Sequence, residues 1–127
     1  MVLLNDALNK AVQANRIENA NYLIDKKADI NSVDLMGCTP LITALKFDHT
    51  DMAEFLVNQK ADLNVGTKYG ETPLQFDASQ GKLSMVKLFL DNIEDNDAKD
   101  NQRKIALGIA QSFGHNDVVM FLLKDQI

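Results

Sequence analysis

Four side chains in this sequence stand out as candidates to bind a metal, move a proton or attack an electrophile: His49, His115, Cys38 and Asp77. His49 and His115 are the only histidines, and Cys38 is the only cysteine. Cys38 stands directly before a Thr-Pro pair that reads as a helix start, where the helix dipole would favour a thiolate. No histidine is spaced to serve as its base, because His49 falls at the far end of the helix that follows. The chain contains no phosphate loop, zinc-ligand spacing or N-glycosylation sequon. Catalysis therefore depends on whether the fold gathers these four residues.

The elements that must position them repeat along the chain. GCTPLITAL at residues 37–45 returns as GETPLQFDA at residues 70–78, an offset of 33. The same frame aligns RKIALGIAQ at residues 103–111 and DALNKAV at residues 6–12. Each is followed by a second apolar segment: ENANYLIDKKADIN, DMAEFLVNQKADLN, SMVKLFLDNIEDND and DVVMFLLKDQI. A fixed period in this range marks stacked supersecondary units, with atypical copies at the two ends. The four segments resemble the ankyrin repeat, whose pattern runs G-x-T-P-L-H-x-A-A and later I-V-x-L-L-L-x-x-G-A-D-V-N. The resemblance covers nearly the whole chain. It implies an all-α solenoid of four helix-turn-helix units with β-hairpin or loop fingers, forming a single domain over residues 1–127. The repeats would span about 1–33 (N-terminal cap), 34–66, 67–99 and 100–127 (C-terminal cap).

In that frame the two histidines occupy one repeat position, two repeats apart. With neighbouring helices ~8–10 Å apart, they would lie on the order of 20 Å from each other, too far to share a metal ion or a proton. They read as turn histidines. Asp77 departs from its own repeat, since the matching residues are Ala11, Ala44 and Ala110. A carboxylate at a position facing neighbouring helices must find donors or bend outward, and it is expected to reach solvent or a backbone N–H.

Length and composition point the same way. One domain is expected of 127 residues with 46% apolar and 24% charged side chains. The apolar runs are too short for a membrane span, the start MVLLNDALNK lacks a signal core, and the lone cysteine fits a reducing compartment. A cytoplasmic protein is expected. The net charge of −5, with basic residues scattered through all four repeats, argues against nucleic acid.

Local signals fix the helix starts. Thr39 and Thr72 read as N-caps with Pro40 and Pro73 at the first helical position, and Gln75 completes a capping box with Thr72. Gly37 and Gly70 precede these caps, where the turn calls for a positive φ. Asp6 is expected to cap the first helix, and Asn19 stands as a polar substitute where later copies have Met52, Met85 and Val118. Lys27, Lys60 and Ile93 fall where the family carries a helix-ending Gly, and two of these helices are expected to end a residue or two early, with Asn58 or Asn92 taking the left-handed conformation. The third linker, EDNDAKDNQR at residues 94–103, has Asn96 for the apolar residue and Arg103 for the Gly. It is expected to be the least ordered finger.

With no catalytic constellation in view, the sequence is expected to encode a non-enzymatic, cofactor-free and metal-free protein. It would bind a partner protein as an adaptor, scaffold or occluding inhibitor, and be a monomer when unbound. The resemblance implies that recognition uses the concave face of finger tips and first helices. Those slots hold Leu35, Met36, Cys38, Lys46 and Phe47, then Lys68, Tyr69, Glu71, Ser79 and Gln80, and finally Asn101, Gln102, Lys104, Ser112 and Phe113. Aromatic and apolar anchors among polar groups are what protein interfaces favour. The alternatives are a homo-oligomer formed through Met120 and Leu123 of the last repeat, and a thiol-based enzyme or redox switch using Cys38 or Asp77.

Overall fold

The structure is a computed structural model and describes residues 2–124. The outermost positions of the first and fourth repeats, Met1 and residues 125–127, lie outside that range. Eight helices and no strand occur among the described residues: α1 (Val2–Gln13), α2 (Ile17–Asp25), α3 (Pro40–Lys46), α4 (Thr50–Asn58), α5 (Pro73–Gln80), α6 (Leu83–Asp91), α7 (Asn96–Phe113) and α8 (Asn116–Lys124). Each repeat supplies one antiparallel pair. The first two pairs belong to a compact unit ending at Gly70, and the last two to a unit beginning at Glu71.

In the first unit α1 packs on α2 and α3, and α3 on α4. Leu8, Val12, Ala20, Ile42, Ala44, Met52 and Leu56 are wholly buried, each large one contributing roughly 1.5–3 kcal/mol by leaving water. Thr39 caps α3 by accepting the Ile42 N–H at 3.2 Å, with Pro40 at the first helical position. Asp6 caps nothing, because α1 already begins at Val2 and holds Asp6 exposed within it. Asn19 is exposed where Met52, Met85 and Val118 are buried, so the polar substitution falls on a surface position as expected.

The second unit is built from α5 packed on α6 and α7, with α8 against α7 and α6. Val86, Phe89, Ala106, Ala110, Val118 and Leu122 form its core. Thr72 and Gln75 make the expected capping box, both bonds at 3.2 Å.

The turn inside each pair is left-handed in all four copies, at Asn15, Asp48, Gly81 and Gly114. These are the residue types that reach positive φ most cheaply. The second helices end differently from expectation. Lys27 (φ 79°) and Lys60 (φ 70°) themselves adopt the left-handed conformation, whereas Asn58 is simply the last residue of α4. Lysine tolerates this region at roughly 1 kcal/mol. Ile93, β-branched, does not enter it; α6 closes on Asn92 at φ −92°, with the Asn92 amide donating to Leu88 O at 2.8 Å.

That difference redirects the third linker. Asp95 accepts the Ala98 N–H at 2.9 Å as an N-cap, and helix runs unbroken from Asn96 to Phe113. The expectation of a least-ordered finger at residues 94–103 is corrected: Asp95 caps α7, and residues 96–103 lie within it. Asn101, Gln102 and Lys104 accordingly sit on a helix and not on a finger tip.

Candidate functional site

The two fingers of the first unit are loops without strands, and side chains close them. In the first, the Asp34 carboxylate accepts from the Met36 N–H at 2.9 Å and the Cys38 N–H at 3.0 Å, while Gly37 N–H donates to Asp34 O at 3.0 Å. The second uses Thr67 in place of Asp34: its hydroxyl accepts from Tyr69 N–H at 3.2 Å and its carbonyl from Gly70 N–H at 2.9 Å. Gly37 and Gly70 sit at φ 78° and 82° with open space where a Cβ would project. Backbone conformation is thus the reason for glycine there. Asn31 at the base of the first finger accepts the Asp62 N–H of the second at 2.9 Å, and Asn5 of α1 does the same for Asp29 at 2.8 Å.

These bonds hold apolar side chains outward. Leu35 is fully exposed, Met36 is 64% exposed and Tyr69 78% exposed. The Lys68 ammonium lies 5.2 Å from the Tyr69 ring centroid, a cation–π contact within the second finger. Below the first finger the Lys46 ammonium approaches the Cys38 sulfur at 3.3 Å. Cys38 itself is buried, which withholds it from a substrate.

At the ends of the first helices the histidines take structural positions. His49 Nε2 pairs with Gln13 O at 3.0 Å and His115 Nε2 with Ser79 O at 2.8 Å, each bond spanning 36 residues. A carbonyl can only accept, so Nε2 carries the hydrogen in both rings. Each histidine ties its turn to the first helix of a neighbouring pair within its unit. Phe47 lies 5.7 Å from the His49 ring and Phe113 stacks on His115 at 6.3 Å, yet both phenylalanines stay more than half exposed. Part of each ring therefore serves the turn and part faces solvent. Gly81 is held at φ 72° against His115, whose Nδ1 stands 2.6 Å from where a Cβ would be.

The remaining expected recognition residues divide by unit. Ser79 donates its hydroxyl to Phe76 O at 2.6 Å, Gln80 and Ser112 are exposed, and Glu71 is half-buried and engaged with a partner group. On α7, Lys104 is exposed and Gln102 is half-buried. Asp77 is only 2% exposed and engaged within the fold, so it does not reach solvent as one of its expected outcomes required. No group of three or more metal-ligating side chains occurs among the described residues, and no described helix is long and apolar enough to cross a membrane. The histidine-to-carbonyl ties escaped the sequence reading, although the shared position of His49 and His115 was its visible trace.

A family model described as ankyrin repeats (3 copies) matches residues 4–67 and 59–127. No curated protein matches the chain significantly.

Proposed function

Because the chain belongs to the ankyrin repeat family, whose members are generally protein-protein interaction modules, we propose that it binds a partner protein through the tips of its first two fingers. The observation that carries this reading is the pair of loops at residues 34–38 and 67–70, where hydrogen bonds fix Leu35, Met36 and Tyr69 in solvent. Apolar side chains held outward by an ordered loop lose little conformational entropy on binding, which is where affinity is gained. Lys46 and Phe47, at the end of α3, extend this patch beside the first finger. In the second unit Glu71, Ser79, Gln80, Ser112 and Phe113 supply further contacts, as do Gln102 and Lys104 from the surface of α7. The protein works as an adaptor, a scaffold or an inhibitor by occlusion, needing no cofactor.

The test uses the protein as bait in a lysate of its source organism, with Leu35→Ala/Tyr69→Ala as the matched control. A partner retained by the wild type and lost with the control supports the reading, provided the control melts within a few degrees of the wild type. Identical captured sets contradict it.

A further inference from the structure

Helix α8 departs from its three counterparts at two places on one face. The position of Met120 is held by Asn21 in α2, Glu54 in α4 and Lys87 in α6, and it is exposed in all four helices. Exposure there belongs to the repeat itself, so a polar residue is the ordinary choice; Met120 is 67% exposed instead. The second departure is in charge. One turn either side of that position, α2 carries Glu18 and Asp25, α4 Asp51 and Asn58, and α6 Ser84 and Asp91, all exposed. Only α8 carries opposite charges, Asp117 and Lys124. At 100° per residue Asp117, Met120 and Lys124 share one stripe, with the two charges about 10 Å apart along the axis. Met120, Phe121, Leu123 and Lys124 line an open apolar groove beside it.

We propose that α8 is a self-association surface that pairs antiparallel with α8 of a second copy of this chain. A two-fold axis between Met120 and Phe121 sets Asp117 against Lys124 of the other copy, twice, and places the two Met120 side chains at the centre. That is the isologous arrangement closed dimers use. The same pairing of α2 would oppose acid to acid, and α4 and α6 would have no opposite charge to offer. One short helix pair is a small interface, so the association is weak and concentration-dependent. This departs from the sequence-based expectation of a monomer.

Sedimentation velocity from ~10 μM to ~1 mM tests it. The weight-average mass is expected to rise from 14.1 kDa toward twice that value. Met120→Lys should weaken the association ~10-fold or more, by placing two ammonium groups at its apolar centre. Asp117→Lys should weaken it ~3–10-fold, and Asp117→Lys/Lys124→Asp should restore it to within ~3-fold of the wild type. All three exchanged residues are exposed, and circular dichroism checks that each variant is folded. A constant 14.1 kDa mass over the whole range overturns the proposal. So does a double variant that associates no better than Asp117→Lys, or a partner protein captured on α8 while the chain stays monomeric.

Discussion

The second finger at residues 60–70 and the third linker at residues 93–103 occupy one register of the repeat and take opposite forms. The first begins at Lys60 in the left-handed region and ends at Gly70, also left-handed, with a closed loop between them. The other begins at Ile93, which cannot take that conformation cheaply, and ends at Arg103, which lies inside a helix. Between these ends Asp95 caps a new helix start, and the chain runs as α7 through the place of a finger. Whether a linker becomes a closed loop or a helix thus follows the two backbone positions at its ends. The residues between follow.

Proline substitution breaks the comparison most sharply. Lys68 and Asn101 are 33 residues apart in equivalent slots, but Lys68 is the second residue of a turn closed from Gly70 N–H to Thr67 O. Proline is favoured there, so Lys68→Pro should change stability by no more than about 1 kcal/mol. Asn101→Pro removes a bond inside α7 and should cost about 3 kcal/mol. Chemical denaturation of both variants checks the pair, and equal costs would mean the linker is a finger after all.

A smaller effect is expected at Gly81, which is both left-handed and against His115. Gly81→Ala should destabilise by about 2–3 kcal/mol, combining the left-handed cost with disturbance of the His115 bond to Ser79. Gly70→Ala, with open space around it, should cost only about 1–2 kcal/mol. Their difference in melting temperature isolates the contribution of the histidine.

Asp95→Ala should remove about 1 kcal/mol by deleting the α7 cap, with faster amide exchange confined to the first turns of α7. The smallest expected change is a gain. Lys60→Gly should stabilise by up to about 0.5 kcal/mol, because relief of left-handed strain outweighs the added chain entropy. Ile93→Gly, at a residue outside that region, should bring no such gain.

Much of this was legible in the sequence, for identifiable reasons. Thr39, Pro40, Thr72, Pro73 and Gln75 announce helix starts because capping and fixed φ are local chemistry, readable from a few adjacent residues. Gly37 and Gly70 announce finger ends in the same way. The third linker differs from expectation because its missing Gly and apolar residue mark a helix and not a defective finger. Asp95 was there to be read as an N-cap, but the run EDNDAKDNQR offers little apolar periodicity to disclose a helix. Lys27 and Lys60 take the left-handed conformation because packing of the second helix sets where it ends, and that outweighs a cost of roughly 1 kcal/mol. The burial of Asp77 depends on neighbours distant in sequence. Of the candidate site, the exposure of Leu35, Met36 and Tyr69 could be expected, since the repeat leaves those slots unpacked. The histidine contacts beneath Phe47 and Phe113 required coordinates.

The central claim is that recognition belongs to the two closed fingers and that α7 took the place of a third. Calorimetric titration of the partner captured by the wild type tests it most directly, against Leu35→Ala/Tyr69→Ala and against Gln102→Ala/Lys104→Ala. The account predicts at least ~10-fold weaker binding for the finger pair, as expected of apolar anchors, and less than ~3-fold for the α7 pair. Binding that survives the finger pair and collapses with the α7 pair would contradict it.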